Sequence, residues 1–373
     1  MLRLLVVLAV FALLALALAA CGGDDGAPST ASPTAGPTET PEASPTPSPS
    51  PAELSEQLSY VGATGDIRLV EADGSNDHVF SDTPCDAGDS VNVKDISMSW
   101  APDGSALAFI CGSDVAPRQT LLVLDADGKK VAGIPDVSGF RWSPDSTRLA
   151  YQRSADPEVG LLEPGTGTER TLRNDAILLE WVGPGSLLLG LEPVFGDMAT
   201  AFEAHLVELV SGESTAFPEF DNARALWASP DGARMIVQTD QRDPNGSAPG
   251  MAVYDFAQDL VTVIDGGYIG YPSDFIPHQQ LAFSQDSGSI YWANAADPPA
   301  SVWTAALEDA EATPLGKVDS LFVAVSPLGR VAGLGPPQEA ALGTITIDDL
   351  AAGTRVEVRR GSGPFAWRTV SGP

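Results

Sequence analysis

Cysteine and histidine are scarce in this sequence, which contains three of each among its 373 residues. His78, His205 and His278 are far apart, and none has a cysteine or a second histidine at the spacing that metal ligands require. Catalytic sites of the cysteine–histidine type need the same residues. We therefore expect no metal site, no cofactor and no catalytic residue.

Positive charge is also in short supply. Lys and Arg number 20 against 50 Asp and Glu, which gives a formal net charge of −30. A surface of this sign repels phosphate backbones and anionic lipid headgroups, so we expect no nucleic-acid partner. An acidic coat of this kind is typical of a soluble, exported domain.

The Gly-x-Ser-x-Gly motif of serine hydrolases does not occur anywhere in the chain. The most similar stretch, Gly183-Pro184-Gly185-Ser186-Leu187, is better interpreted as a tight turn between two strands. The sequence therefore predicts a protein that is not an enzyme.

The N-terminus contains what the rest of the chain lacks, an unbroken apolar run. Arg3 precedes apolar residues 4–18, and Leu18-Ala19-Ala20-Cys21 follows. This stretch resembles the lipobox of bacterial lipoproteins. The resemblance implies that residues 1–20 are a signal peptide, that Cys21 is lipidated, and that the protein is anchored outside the cytoplasm to the cell membrane. Two alternatives are ordinary cleavage at Ala17-Leu18-Ala19 and an uncleaved membrane helix.

Residues 21–53 form the next segment, which is dominated by Pro, Ser, Thr and Ala. Such a composition cannot bury an apolar core, so we expect a disordered chain rich in polyproline II. At the rise of that conformation, the 26 residues 27–52 span up to ~80 Å. We interpret the segment as a tether.

A repeated motif organises residues 54–373. Phe140-Arg141-Trp142-Ser143-Pro144-Asp145 is followed by an apolar strand, and the pattern recurs at Trp100 and Trp227. Aligned on the Trp-equivalent position, the copies fall at 100, 142, 181, 228, 283, 325 and 367; we number them repeats one to seven. A period near 40 to 45 residues with several short strands per unit is typical of a β-propeller. The tryptophans are expected to pack between blades rather than to form a ligand site.

The two ends of this region complete each other. Residues 58–80 contain three predicted strands without an inner one, and Phe365-Ala366-Trp367-Arg368 is an inner strand with nothing after it. Pairing them closes the ring and removes exposed sheet edges. The predicted fold is therefore an all-β, seven-bladed β-propeller of four-stranded blades, with one blade shared by the N- and C-terminal strands.

The repeats also resemble a known family. Trp-Ser-Pro-Asp-Gly before a Leu-Ala-Phe strand, and Ile67-Arg68-Leu69-Val70-Glu71 before Ala-Asp-Gly-Ser-Asn, are similar to the repeats of TolB-type, WD-repeat-like propellers. The resemblance begins near residue 54 and is weakest at Phe283 and Val325. It implies the propeller fold but no particular activity, because such propellers serve unrelated functions.

Two cysteines fall in the first full repeat. Cys85 precedes its inner strand and Cys111 ends the second strand, so antiparallel pairing places both at one rim of the propeller. In an exported domain we expect them to form a disulfide; two unpaired buried thiols are the alternative.

The longest loops are predicted to emerge on that same rim, at residues 191–203, 240–249 and 266–279. They contain the candidate ligand-binding residues Phe195, Phe202, Tyr268, Tyr271, Asp274 and Phe275. Long loops on a rigid scaffold commonly carry binding sites. The alternative is that these aromatic side chains pack against their own loops.

The favoured interpretation is a monomeric, non-catalytic binding or scaffold module that is held at the membrane by its lipid. Its partner on the loop face would be a protein, a peptide or a glycan. One alternative is an enzyme with a small site at the channel mouth, built from carboxylates such as Glu192, Asp197 or Asp274. The other is a component of envelope assembly or trafficking.

Overall fold

The computed structural model describes residues 54–82, 85, 90–91, 98–112, 119–154, 157–195, 200–220, 223–239, 250–264, 267, 269, 280–294, 299–320, 322–335 and 343–371, which lie in one compact unit. These residues form 28 β-strands and one 3-10 turn at Pro218–Phe220. No helix within these ranges is long and apolar enough to cross a membrane. Residues 1–53, the predicted signal peptide and tether with Cys21, lie outside the described part of the chain.

The strands follow the repeats in order. Before the first tryptophan come β1 (Leu54–Gly62), β2 (Ile67–Glu71) and β3 (His78–Ser81). Repeat one contains β4 (Ser90–Val91), β5 (Met98–Trp100), β6 (Ala106–Gly112), β7 (Gln119–Asp125) and β8 (Lys130–Pro135). Repeat two contains β9 (Val137–Trp142), β10 (Leu149–Arg153), β11 (Val159–Glu163) and β12 (Thr168–Arg173). Repeat three contains β13 (Ala176–Val182), β14 (Ser186–Phe195), β15 (Thr200–Glu208) and β16 (Ser214–Ala216).

The second half continues the pattern. Repeat four contains β17 (Ala223–Ala228), β18 (Arg234–Thr239), β19 (Met251–Asp255) and β20 (Leu260–Ile264). Repeat five contains β21 (Leu281–Phe283), β22 (Ser289–Asn294), β23 (Ala300–Ala306) and β24 (Thr313–Val318). The last strands are β25 (Phe322–Val325), β26 (Arg330–Leu334), β27 (Gly343–Asp349) and β28 (Thr354–Ser371).

The turn between the first two strands of a repeat is built by its own side chains. In repeat two, Ser143 Oγ donates a hydrogen bond to Asp145 and accepts one from the backbone N–H of Arg148. The chain can reverse there because Ser146 adopts a left-handed backbone with φ of 61°. Repeats one and four have glycine at this point, Gly104 and Gly232, which adopts that conformation without a steric penalty. The Ser-Pro-Asp motif is therefore a turn signal.

Repeat six has lost this carboxylate, and another part of the chain replaces it. Leu328 stands where the turns of repeats one, two, four and five have aspartate, and the carboxylate comes from Glu56 on β1, which is 1% exposed. Glu56 accepts hydrogen bonds from Ser326 Oγ and from the backbone N–H of Leu328, both at 3.0 Å. Arg330 lies 2.9 Å from the same carboxylate. The N-terminal strand thus completes a turn that is about 270 residues away in sequence.

Within the described residues, all strand pairing is antiparallel and the strands form six sheets. Five of these are separate blades: four have four strands, and the fifth has an inner edge split into β4 and β5, which both pair with β6. The sixth is a wider sheet in the order β25-β26-β27-β28-β1-β2-β3. The structure is a β-propeller, as the repeats predicted.

The wider sheet is where the structure differs from the expected series of separate four-stranded blades. Strand β28 has 18 residues and runs without a break through the end of repeat six and the start of repeat seven. Its first part pairs with β27, Asp349 opposite Thr354, and its second part pairs with β1, Leu58 opposite Trp367. One continuous strand therefore joins two four-stranded groups into one hydrogen-bonded sheet. The predicted pairing between the two ends of the chain is confirmed.

The apolar core lies between the repeats. The buried side chains of the described residues form seven clusters, and each cluster combines two successive repeats. One of them joins repeat seven to repeat one through Val61, Ile67 and Ala366 on one side and Met98 and Trp100 on the other. Because each sheet covers the face of the next, no blade has a complete core alone.

The inner strands are also tied together by hydrogen bonds from tryptophan. The indole N–H of Trp142 donates to the backbone carbonyl of Ser99 at 3.1 Å, and that of Trp181 donates to the carbonyl of Arg141 at 2.9 Å. Trp367 makes the same bond to Ala324 at 3.1 Å. In each case the acceptor is the residue just before the aligned position of the preceding repeat. The tryptophans are core residues, as predicted, and they also connect neighbouring repeats.

Deleting residues 364–373 should remove the inner strand that pairs with β1. We expect loss of cooperative unfolding or aggregation, because the deletion exposes two strand edges and opens the ring. Thermal unfolding followed by circular dichroism, together with size-exclusion chromatography, measures both effects. The control deletes only residues 372–373. A protein lacking residues 364–373 that stays monomeric and unfolds at the wild-type temperature would contradict the closure.

Candidate functional site

The inner strands surround an axial cavity of about 330 Å³. Every repeat contributes the residue at its aligned position to the lining: Trp100, Trp142, Trp181, Ala228, Phe283, Val325 and Trp367. Turn prolines also line it, namely Pro102, Pro144, Pro230 and Pro327. These turns connect the first and second strands, so the cavity lies toward the Ser-Pro-Asp face of the propeller. This face is opposite the predicted loop face.

Within this cavity, the repeats differ most in the side chain one residue before the aligned position. Ser99, Ala282 and Ala366 occupy this earlier position in repeats one, five and seven and line the cavity with small side chains. Repeat six has Ala324 at the same position. The three successive repeats two, three and four have large side chains instead, which are Arg141, Glu180 and Trp227. We call these three residues the cavity arc.

Strand alternation brings Arg141 and Glu180 together. On β9, Phe140 and Trp142 pack against repeat one, so Arg141 points to the opposite side, toward repeat three. Its Nε atom lies 3.4 Å from Glu180 Oε2, and its Nη1 donates to the carbonyl of Phe140 at 2.8 Å. Glu180 Oε1 accepts the backbone N–H of Trp181 at 2.9 Å. The carboxylate is therefore held by its own strand and faces a guanidinium from the preceding repeat.

Burial perturbs both charges. The side chain of Glu180 is 8% exposed and that of Arg141 is 26% exposed. Burial raises the pKa of Glu180 to about 7, although the positive charge of Arg141 and the Trp181 N–H act in the opposite direction. Burial lowers the pKa of the Arg141 guanidinium, and the charge of Glu180 opposes that shift. The pair is therefore a guanidinium beside a carboxyl group with a pKa of about 7, in a mostly aromatic cavity.

Trp227 belongs to the cavity arc because repeat four is shifted by one residue. Its turn begins at Ser229, so Ala228 takes the aligned position and Trp227 stands one residue earlier. A shift of one residue on a strand moves a side chain to the other face. Trp227 therefore packs against Leu281 and Phe283 of the following repeat, whereas Trp142 packs against the preceding one.

The arrangement resembles a small ligand site in its chemistry. Aromatic and proline side chains provide most of the wall, and Arg141 and Glu180 are the charged groups among the described lining residues. Pockets that bind small molecules are mostly apolar and contain a few placed polar groups. The cavity can therefore bury an apolar surface and orient one polar group against the arginine–glutamate pair.

The predicted disulfide is present. Cys85 and Cys111 are bonded, with their Cα atoms 5.6 Å apart and a separation of 26 positions in sequence. Both side chains contact the cluster between repeats seven and one. The chain-entropy model gives a crosslink of this span about 3–4 kcal/mol of stabilisation. It secures the rim where the ring closes.

The loop-face residues are mostly outside the described part of the chain. This applies to Tyr268, Tyr271, Asp274 and Phe275. The backbone of Ile269 is described, and it exchanges hydrogen bonds with the buried side chain of Gln238 at 2.9 and 3.3 Å. One point of that loop is therefore fixed to the propeller, while its predicted ligand-binding residues remain predictions.

The loop between β14 and β15 contributes two further candidates. Phe195 ends β14, and its side chain is outside the described part of the structure. Phe202 lies on β15 and is half-buried against the cluster between repeats three and four, where its ring covers Gly190. The side chain of Phe202 therefore has a packing role in the propeller. Glu192, the one described carboxylate of the proposed enzymatic site, is exposed with a φ of 50°.

Among the described residues, no group of three His, Cys, Asp or Glu side chains is arranged to hold a metal ion.

The cavity arc was not predicted from the sequence. Arg141 was visible inside the repeated motif, where it was read as part of the repeat pattern. Comparing the residue before the aligned position in each repeat would have shown small residues in four repeats and Arg, Glu and Trp in the other three.

Comparisons with known proteins agree with the propeller fold. The chain is similar to an oligogalacturonate lyase solved in complex with manganese (14% identity, 83% of this chain and 86% of that chain, TM-score 0.53). It is also similar to the β-propeller domain of the Trilobed protease from Pyrococcus furiosus (14% identity, 83% and 92%, TM-score 0.52). TolB from Acinetobacter baumannii matches at 18% identity over 72% of this chain and 67% of that chain, with a TM-score of 0.48. No protein-family model and no curated protein matches the sequence.

These similarities define the class of protein. Solved TolB structures are among those similar to the chain, and the other matches include an oligogalacturonate lyase and the β-propeller domain of a protease. At identities of 18% and below, the comparisons show the fold alone. The chain is a β-propeller in architecture, and its function has to be argued from its own cavity and surface.

The Glu180→Gln variant tests the burial of the cavity carboxylate. A pKa of about 7 in the folded protein, against 4.5 for an ordinary glutamate, means that the folded state binds more protons between these pH values. The contribution of Glu180 to stability therefore falls as pH rises through this window. We expect the variant to gain up to ~3 kcal/mol over the wild type between about pH 4.5 and about pH 8.

Urea unfolding at several pH values measures this difference. The matched control is Glu213→Gln, which removes one negative charge from an exposed turn. A difference between wild type and Glu180→Gln that stays constant across the pH range would show that the carboxyl is not perturbed by burial.

Proposed function

We propose that the protein is a membrane-tethered, extracytoplasmic propeller that binds a ligand in its axial cavity without transforming it. The observation that carries this proposal is the cavity arc. Small side chains at the same repeat position leave space around the axis, and Arg141, Glu180 and Trp227 from successive repeats concentrate two charges and an indole on one side. A structural core alone does not require a buried ion pair, which is expensive to desolvate.

The membrane tether is supported by the sequence. The apolar run and Leu18-Ala19-Ala20-Cys21 resemble a lipoprotein signal, and residues 21–53 have the composition of a flexible linker. The Cys85–Cys111 disulfide fits an oxidising compartment outside the cytoplasm. We therefore propose a lipid on Cys21 and a propeller held at some distance from the membrane.

Binding is favoured over catalysis because of what the cavity offers. Its described lining has one carboxyl group, Glu180, and a general acid–base pair or a nucleophile with its base needs a second group within hydrogen-bond reach. Arg141, the group beside it, stays protonated and does not act as a base. The carboxylate-based enzyme at the channel mouth remains the alternative, with Glu192, Asp197 and Asp274 as its candidate residues.

The loop face is proposed as a second surface for a protein, peptide or glycan partner. Tyr268, Tyr271 and Phe275 would supply flat apolar contacts with few rotamers to restrict, and Asp274 would favour neutral or cationic groups. Phe195 is the remaining candidate there. We propose that the protein acts as a monomer and needs no cofactor.

We also propose that the ring has seven blades. The seven-stranded sheet divides into β25, β26, β27 and the first part of β28, and into the second part of β28 with β1, β2 and β3. Each group contains one inner aligned position, Val325 or Trp367. Together with the five separate blades this accounts for the seven inter-repeat clusters.

The lipid anchor is tested by Cys21→Ser. The variant cannot be acylated at that position, so we expect it in the soluble fraction rather than the membrane fraction. Fractionation and intact-mass measurement of the mature protein report both effects. A wild-type mature chain that begins at Ala20 without a lipid would contradict the anchor.

The binding site is tested by filling the cavity. The Ala282→Phe variant places a phenyl ring among the small lining residues, and Val263→Phe adds the same ring at an exposed position on β20. Full-length proteins are incubated with a solubilised cell-envelope extract, and the retained molecules are identified by mass spectrometry. We expect Ala282→Phe to lose a species that the wild type and Val263→Phe retain.

A triple variant, Tyr268→Ala/Tyr271→Ala/Phe275→Ala, tests the other face in the same assay. Retention of every species by Ala282→Phe, with loss in the triple variant, would show that the cavity is not the binding site and that the loop face is. Recovery of converted products instead of the bound species would favour the enzymatic alternative.

A further inference from the structure

We propose that the cavity arc of Arg141, Glu180 and Trp227 is a subsite for one or two units of a neutral saccharide. This inference rests on the proposed binding function of the cavity and names the class of ligand. Three features of the cavity support it: the guanidinium of Arg141 donates hydrogen bonds, the carboxyl of Glu180 accepts them, and tryptophan side chains form an apolar wall. The cavity opens at the Ser-Pro-Asp face.

The polar pair matches hydroxyl groups. Arginine offers only donors, an ionised carboxylate offers only acceptors, and a sugar hydroxyl both donates and accepts. Arg141 Nε is buried and has no hydrogen-bond partner within the protein, although Glu180 Oε2 lies 3.4 Å away. A buried N–H without an acceptor is unfavourable, so a ligand oxygen placed beside the pair would satisfy it.

The aromatic wall matches the apolar faces of a sugar ring. The indole N–H groups of Trp142, Trp181 and Trp367 are already bonded to backbone carbonyls of neighbouring repeats. These side chains can therefore offer the cavity only carbon surface and π-electrons. The C–H groups on one face of a pyranose ring pack well against such a surface.

The charges disfavour other ligand classes. An anion meets a chain of net charge −30, and beside Arg141 it meets the carboxyl group of Glu180, 3.4 Å from the guanidinium. A cation that binds against the face of a tryptophan would lie close to a guanidinium group that already contacts that ring. Arg368 lies 4.4 Å from the centre of the Trp100 ring, and Arg148 lies 5.7 Å from that of Trp181. A neutral, hydroxyl-rich ligand avoids both conflicts.

The size and the opening agree with the end of a sugar chain. A volume of about 330 Å³ is at the lower end of small-molecule pockets. Pro102 and Pro230 at the lining are exposed, so the cavity communicates with solvent between the turns. The terminal units of a saccharide would enter the arc, and the rest of the chain would leave through the turn face.

The test is a titration of the full-length protein with defined probes. Maltose, cellobiose and chitobiose are the neutral disaccharides, glucuronate is the anionic probe, choline is the cationic probe, and trialanine is the peptide probe. Isothermal calorimetry measures binding, and the change in tryptophan fluorescence reports on the five tryptophans of the lining. We expect saturable binding of at least one neutral disaccharide in the millimolar range or tighter, with no comparable binding of the other probes.

Variants then assign the binding to the arc. Arg141→Gln and Glu180→Gln should each weaken saccharide binding by roughly tenfold or more, because each leaves the other polar group without its partner. Arg153→Gln and Glu213→Gln remove the same charges at positions outside the cavity lining and should bind as the wild type does. If Arg141→Gln fails to fold, Ala282→Phe replaces it as the variant that blocks the cavity.

Absence of binding by all three disaccharides at about 10 mM, in a protein shown to be folded, would overturn the inference. Binding that survives in Arg141→Gln, Glu180→Gln and Ala282→Phe would also overturn it, as would preferential binding of trialanine, glucuronate or choline. If no saccharide binds while Ala282→Phe still loses an envelope species, the ligand class is wrong and the cavity remains the binding site. If Ala282→Phe loses no species either, the proposed function itself fails.

Discussion

The contact between successive inner strands is the constraint on which the rest of this propeller depends. Each repeat buries its apolar residues against the next, and three tryptophans donate their indole N–H groups to the inner strand of the preceding repeat. A single sheet of four strands would leave these surfaces in water. Stability therefore belongs to the closed ring, which explains why the N-terminal strand pairs with the C-terminal one and supplies Glu56 to a distant turn.

The same ring produces the cavity. Residues at the aligned position hold neighbouring repeats together, and residues one position earlier decide how much space is left at the axis. Repeats one, five and seven have serine or alanine at this earlier position and leave space on one side of the cavity. The other side is lined by Arg141, Glu180 and Trp227. A repeat protein can specialise in this way because a change in one copy leaves the packing of the other copies intact. Fold and candidate site thus use adjacent positions of one motif.

Much of the fold could be predicted because its signals are local and repeated. Turn residues and apolar strands revealed the repeats, and two incomplete copies revealed the closure at Trp367. The merging of two blades along β28 could not be predicted, since it depends on a strand that continues past a repeat boundary. The ion pair between Arg141 and Glu180 joins two repeats 39 residues apart, so only the three-dimensional ring brings it together.

The tryptophans around the axis hold neighbouring repeats together through the hydrogen bonds of their indole N–H groups. Trp142→Phe and Trp181→Phe keep a ring in place but leave the carbonyls of Ser99 and Arg141 without their donors. Each should lower the free energy of unfolding in urea by about 1–2 kcal/mol relative to Trp303→Phe, which changes a half-buried tryptophan on β23. If both inner variants unfold with the same free energy as Trp303→Phe, the indole hydrogen bonds do not hold the ring together.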